Sequence, residues 1–181
     1  VKLIETDIPG VVIVEMPIYR DDRGQFQETY NERKFLELGL PIDWKQDNLS
    51  YSKKNVVRGL HYQLVQPQGK LVRVVSGAVF DVAVDIRRSS PTFGKHVSVE
   101  LSAENGLAFY IPPGFAHGFT ALTEGAAFSY KVTDFYEPSG DRTMLWNDPE
   151  LGIQWPIEEG DAVVSAKDLL GKPLSAAEVF P

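Results

Sequence analysis

Asn55-Val56-Val57-Arg58-Gly59-Leu60-His61-Tyr62-Gln63 runs on, after a short gap, into Gln68-Gly69-Lys70-Leu71-Val72-Arg73. The β-branched and apolar residues predict two β-strands joined by a loop. One titratable base, His61, and three cations, Arg58, Lys70 and Arg73, lie along them. Scattered charges on an exposed strand edge would explain Lys70 or Arg73 alone. The whole set is better explained by a concave site, because Leu60, Tyr62, Leu71, Val72, Val74 and Val75 make both strands apolar and an unpaired buried ion is costly. Arg58 and His61 are three residues apart, so regular alternation sends them to opposite faces. A bulge at Gly59 would re-aim one of them, and the single-site picture depends on it.

Outward from this pair the chain reads as strands. Val11 to Glu15 is a β run ended by Pro17, and its apolar stretch Val11 to Val14 needs covering, which favours a partner subunit. Tyr19 to Gly24 reads as a charged turn and Gln25 to Tyr30 as the next strand. Further strands are expected at about 44–52, 55–63, 69–75, 78–86, 95–101, 107–111, 117–122 and 126–136, with Gly, Pro, Asn or Ser in the turns. The clearest helix is Asn31 to Leu38, with Asn31 as N-cap and Gly39 and Pro41 as stops. Short helical turns with serine caps are expected at Ser165–Leu170 and Ser175–Glu178. Many short strands at this spacing make an all-β sandwich or barrel, and without repeats or linkers residues 1–181 form a single domain. In the strand through Val79–Ile86, Phe80, Val82, Val84 and Ile86 share one face, while Asp81, Ala83 and Asp85 share the other, so an acid can enter the cavity. Tyr130 and Tyr136 go with Phe128.

Composition narrows the function. The 181 residues are 43% hydrophobic and 24% charged, with a formal net charge of −7. That acidic balance disfavours nucleic acid and anionic membrane surfaces as partners, so cations for an anionic ligand must be gathered locally. With no cysteine there is neither a disulfide framework nor a thiol nucleophile, which fits a reducing cytoplasm. No apolar run approaches the roughly 20 residues of a membrane span, and Val1 to Glu5 has no signal-peptide character.

Gly106 to His117 carries the spacing G-x5-P-x-G-x2-H, which resembles the second signature of the cupin β-barrels. Metal cupins take a His-x-His pair from the first signature, where this chain has His61-Tyr62-Gln63. Two histidines without a close carboxylate make a poor transition-metal site, so no metal is expected. His96, on a polar strand, reads as a surface residue. His61 is then placed as a general base, since imidazole titrates near neutral pH. Such a base needs a group on its other nitrogen to orient it; Asp168 and Asp81 are both candidates.

Arg58-Gly59-Leu60-His61-Tyr62-Gln63, Gly69-Lys70-Leu71-Val72-Arg73, Pro112 to Phe119, Tyr130-Lys131-Val132-Thr133 and Ser165-Ala166-Lys167-Asp168 together resemble the dTDP-4-dehydrorhamnose 3,5-epimerase family. Gln46 to Ser50 and Gly152 to Pro156 support the match, which runs from about residue 4 to the C-terminus. The resemblance implies a cupin-like jelly-roll β-barrel or sandwich with a few short helices, no cofactor, a homodimer, and a dTDP-sugar substrate. The implied reaction inverts C3 and C5 of dTDP-4-keto-6-deoxyglucose on the route to dTDP-L-rhamnose. It makes His61 the base in a dyad with Asp168, Tyr130 the proton donor on the opposite face, and Lys70 the group that stabilises charge on the C4 oxygen. Arg58 and Arg23 would grip the diphosphate. Gln46, Asn48, His117 and Phe26 would join in binding substrate, with His117 and Asp81 also forming a shell around Lys70. Taken singly, Tyr130 reads as a half-buried strand tyrosine, Arg23 as part of a solvated turn, and Phe26, Phe119 and Trp155 as core or as a thymine platform. Three alternatives follow: an epimerase acting at C3 only, a metal-dependent cupin oxygenase, and a non-catalytic nucleotide-sugar binder.

Overall fold

The computed structural model describes residues 1–181. Its strands are β1 (Lys2–Glu5), β2 (Val12–Glu15), β3 (Ile18–Asp21), β4 (Gly24–Gln27), β5 (Gln46–Ser52), β6 (Val56–Gln63), β7 (Lys70–Ser76), β8 (Ala78–Asp85), β9 (His96–Ser102), β10 (Ala108–Ile111), β11 (Phe115–Ala121), β12 (Ala126–Val132), β13 (Asp141–Thr143) and β14 (Val163–Val164). The helices are α1 (Glu32–Glu37) and α2 (Ala166–Leu169). Two sheets form a sandwich. The first runs β1-β2-β10-β7-β12-β5; the second runs β13-β6-β11-β8-β9, with β14 added alongside β6. β3 and β4 form a separate hairpin.

Alternation puts half of each strand into the space between the sheets. Val72, Val74, Val79, Ala83, Phe109, Ile111, Phe119 and Phe128 meet there in the main core. The outward residues are covered as well. Phe35 of α1, Val12, Val14 and Leu71 pack behind the first sheet. Val82, Val84, Ile86 and Leu60 pack behind the second, against Met144, Leu151 and Leu174 of the C-terminal segment. Burying a large apolar side chain such as Phe109 or Phe128 contributes about 1.5–3 kcal/mol, so the central layer is the main stabilising element.

Several boundaries differ from the sequence reading. The charged Tyr19–Gly24 stretch is mostly strand: Asp21 accepts the backbone N–H of Arg23 at 2.9 Å, which closes a two-residue turn between β3 and β4. β4 stops at Gln27, whose amide donates instead to the carbonyls of Met16 and Gly106. β12 ends at Val132, because beyond it the backbone of Tyr136 and Glu137 bonds to the side chains of Gln46 and Gln63. Val11 to Val14 lies within the sheet, with β2 paired on one side to β1 and on the other to β10, so it needs no partner subunit to cover it. Asn31 and Ser165 cap their helices as expected. The turn expected at Ser175–Glu178 is a 3-10 turn at Leu174–Ala176 without a serine cap. It is anchored by Asp148, which accepts the Leu174 N–H at 2.7 Å.

Candidate active site

A cavity of about 260 Å³ opens between the two sheets. β6 and β11 supply Arg58, His61, His117, Gly118 and Phe119 to one wall; β5, β7 and β12 supply Ser50, Lys70, Phe128 and Tyr130 to the other. Loops add Gln68 and Tyr136 at the rim, β13 adds Asp141 and α2 adds Lys167.

The bulge at Gly59 is what allows Arg58 and His61 to share this cavity. His117 faces His61 across the ladder and Phe119 faces Arg58, so β6 advances three residues where β11 advances two. Gly59 sits at φ +120, and a Cβ there would lie 2.7 Å from the Cα of Gly118 and from the carbonyl of His117. Glycine at 59 is therefore required by backbone conformation and by close approach together.

His61 projects from the bulged strand and its Nε2 lies 2.6 Å from Asp168 Oδ1. The choice between Asp168 and Asp81 is resolved by geometry: the second oxygen of Asp168 accepts the Gly59 N–H at 3.1 Å, so one carboxylate ties the base to the bulge. Asp168 is 3% exposed, on α2. Burial pushes its pKa up, but the hydrogen bonds and charge from His61, Gly59 and Ser165 outweigh that and hold it below the usual carboxylate value. Asp81 instead pairs with His117, whose Nε2 lies 2.9 Å and 3.0 Å from the two carboxylate oxygens. Burial lowers the His117 pKa, Asp81 opposes this, and the neighbouring Lys70 and His61 add to the lowering. His61 and His117 thus each have a carboxylate, contrary to the expectation, but in separate pairs. No group of three or more His, Asp or Glu comes together that could hold a metal ion.

Lys70 is 8% exposed and donates to the His61 carbonyl at 3.3 Å. Burial pushes its pKa down to about 8, with Asp81 and Asp141 favouring the charged form. Tyr130 enters from β12 of the same sheet, facing His61 across the cavity. Burial raises its phenol pKa and the Arg58 charge partly counters this. Arg58 is braced by Ser52 Oγ at 3.0 Å and by the Tyr51 carbonyl at 3.1 Å.

Other expected residues lie elsewhere. Arg73 is an odd number of positions from Lys70, and β7 alternation turns it away from the cavity. Arg23 and Phe26 stand on the β3–β4 hairpin outside the cavity, Arg23 paired with Asp21 at 2.6 Å and Phe26 68% exposed beside Tyr19. Gln46 and Asn48 hydrogen-bond each other on edge strand β5, beyond the cavity wall. Trp155 packs against Phe80 and Trp146, whereas Phe119 stacks on Phe128 at 4.2 Å within the cavity lining. His96 is half-buried with Nδ1 3.1 Å from the Leu151 carbonyl, not a free surface residue.

Ser50, Gln63, Gln68, Asp141 and Lys167 also line the cavity, beyond the residues expected from the sequence. Ser50 has a detectable signal: it continues the Gln46, Asn48 face of β5 by period-two alternation. Its Oγ is buried and has no hydrogen-bond partner. Gln68, Asp141 and Lys167 lie in loops or element ends whose approach no local pattern announces.

Comparison with known proteins agrees with this arrangement. A family model described as dTDP-4-dehydrorhamnose 3,5-epimerase matches residues 5–176. The dTDP-4-dehydrorhamnose 3,5-epimerase of Pseudomonas aeruginosa is 52% identical over 181 residues, 99% of each chain. That of Salmonella typhimurium is 52% identical over 177 residues, 97% of this chain and 96% of its own. A crystal structure of the Legionella pneumophila epimerase in complex with dTDP-4-keto-L-rhamnose superposes with a TM-score of 0.94 at 48% identity, covering 98% of this chain and 94% of that one. A 3'-monoepimerase from Streptomyces bikiniensis, in complex with dTDP-quinovose, is 33% identical with a TM-score of 0.87, over 94% of this chain and 86% of its own. With this match across nearly the whole sequence and fold, the chain belongs to the dTDP-4-dehydrorhamnose 3,5-epimerase family.

Proposed function

We propose that this chain inverts C3 and C5 of dTDP-4-keto-6-deoxyglucose through an enolate, giving dTDP-4-keto-L-rhamnose. The observation that carries the reading is one cavity with His61 of one sheet, paired to Asp168 of α2, facing the half-buried Tyr130 of the other sheet. Inversion needs removal of a proton from one face of a carbon and its return on the opposite face. Both target carbons flank the C4 ketone, so deprotonation leaves charge on the C4 oxygen. His61, held by Asp168, takes the proton. Lys70 stabilises the developing oxyanion from a fixed, dry position. Tyr130 delivers a proton from the facing wall. A phenol is protonated at neutral pH, and burial of Tyr130 favours that donor form further. His117 and Asp81 support Lys70, and Arg58 takes the diphosphate at the open end. Ser50 supplies a hydroxyl that substrate can satisfy.

Arg23 and Phe26 have no place in their own chain's cavity, and in this reading the β3–β4 hairpin serves a second copy's site in a homodimer. Sedimentation showing a stable monomer at working concentrations would remove that part. In this reading, which takes a nucleoside-diphosphate sugar as substrate, the reaction runs in the cytoplasm. No helix is long and apolar enough to cross a membrane. The reaction is tested by incubating the chain with dTDP-4-keto-6-deoxyglucose and reading ring proton couplings by NMR. Inversion at C3 and C5 supports the reading, inversion at C3 alone assigns the monoepimerase reaction, and an unchanged sugar rejects both.

A further inference from the structure

Gln63 lies two residues beyond His61 on β6 and is 5% exposed. Its amide is used up by backbone. Nε2 faces the carbonyls of Gln66 at 2.9 Å, Phe135 at 3.1 Å and Val65 at 3.4 Å, while Oε1 accepts the N–H of Glu137 at 3.1 Å. The orientation is unique, because the flipped amide would set oxygen against three carbonyls. None of these backbone groups has a backbone partner. They belong to two loops, residues 64–69 and 133–137, which carry Gln68 and Tyr136 into the cavity lining.

The loops are also tied to each other. Gly69 N–H donates to Thr133 Oγ1 at 2.8 Å, and Gln68 Nε2 to the Asp134 carbonyl at 2.9 Å. Tyr136 is then fixed at both ends: its N–H donates to Gln46 at 3.2 Å and its hydroxyl to Asp141 at 3.1 Å, with Lys167 on the same carboxylate oxygen. Gln63, rooted in the catalytic strand, is thus the side chain that joins both of these loops to β6.

We propose that Gln63 is a positioning residue that locks the 64–69 and 133–137 loops into the cavity wall and so sets substrate affinity, not the rate of proton transfer. The inference rests on the epimerase reading of the cavity. His61, Lys70 and Tyr130 stand on strands and Asp168 on α2, and the His61–Asp168 pair is tied to the Gly59 N–H rather than to these loops. Gln68 and Tyr136 meet substrate at the rim, where contact is the same for the ketone and the enolate. Losing such contact removes uniform binding, which appears in KM and leaves kcat in place.

The test uses Gln63→Met, which has no amide, and Gln63→Glu, which keeps an acceptor for Glu137 but turns a carboxylate toward the carbonyls. Thr133→Val removes the Gly69 N–H bond between the loops without touching β6, and leaves the Gln68 bond to the Asp134 carbonyl and the Thr133 N–H bond to the Gly69 carbonyl at 3.0 Å. It serves as a milder loosening of the same loops if the Gln63 variants fold poorly. Amide hydrogen exchange without ligand should quicken in 64–69 and 133–137 and stay unchanged in β6. With dTDP-4-keto-6-deoxyglucose, KM should rise at least ~10-fold with kcat within about threefold. Unchanged exchange in the loops overturns the clamp. Faster exchange with unchanged KM overturns its role in affinity, and so does a fall in kcat at constant KM. If the wild-type chain leaves this sugar untouched, the epimerase reading and the affinity role fall together, while the exchange data still judge the clamp.

Discussion

Replacing Lys70 by methionine should make the protein more stable and nearly inactive at once. The Lys70 ammonium is buried at 8% exposure with a single hydrogen bond, to the His61 carbonyl at 3.3 Å. Burial brings its pKa from 10.5 to about 8. Each tenfold change in proton affinity is ~1.4 kcal/mol, so the fold carries a penalty of about 3 kcal/mol for holding this cation. Below pH 8 the lysine is charged in both folded and unfolded chains and the full penalty applies. Between pH 8 and 10.5 the unfolded chain binds the extra proton, so wild-type stability rises with pH; above 10.5 the penalty is gone. Methionine has similar length and no charge. The pull of Asp81 and Asp141 is already contained in that pKa, and the lost hydrogen bond to the His61 carbonyl takes back part of the gain, leaving Lys70→Met about 1–3 kcal/mol more stable at pH 7. Urea unfolding of both proteins from pH 7 to 11 measures this directly, and the gap should close toward pH 10.5. Turnover should fall roughly 10²–10³-fold, the usual loss for an oxyanion-stabilising donor. A variant less stable than wild type at pH 7, or a gap independent of pH, would refute the argument that this cation is held at a cost for function.

Asp168→Asn keeps the side chain's size but loses the charge that orients His61; kcat should drop roughly 10³-fold with little change in KM, read by steady-state kinetics. Tyr130→Phe should still exchange substrate protons with solvent, because His61 can return a proton to the face it came from, while net inversion by NMR falls at least ~10²-fold. In wild type, kcat should decline on the alkaline side as Lys70 loses its proton near pH 8, and a profile flat to pH 10 would contradict its assigned role. Gly59→Ala places a methyl 2.7 Å from backbone atoms at a positive φ, and should cost ~2–4 kcal/mol in chemical unfolding.

The strand order of residues around His61 was readable because alternation and glycine placement are local. The Arg58–His61 conflict pointed to a bulge, and the β6–β11 register contains one. The same alternation rule, applied to β7, separates Lys70 from Arg73; treating the cations as one set obscured it. The partner of His61 was not readable from the residues alone, since Asp168 is 107 positions away and Asp81 was equally available. Family resemblance indicated Asp168, and geometry shows why it suits: α2 brings its carboxylate to both His61 and the Gly59 N–H. Gln63 escaped notice because its value lies in meeting loop backbone from positions 65, 66, 135 and 137, a pattern with no sequence period. Val11 to Val14 misled in the other direction. An apolar run suggested an open face, but neighbouring strands and α1 cover it within the chain.

The most direct test of the two-walled mechanism is turnover of dTDP-4-keto-6-deoxyglucose in heavy water, with deuterium located by NMR and mass spectrometry. The account predicts one deuterium at C3 and one at C5, each at a carbon of inverted configuration. Product inverted without solvent deuterium would contradict delivery from an exchangeable tyrosine, and recovery of unlabelled, uninverted sugar would contradict the epimerase assignment itself.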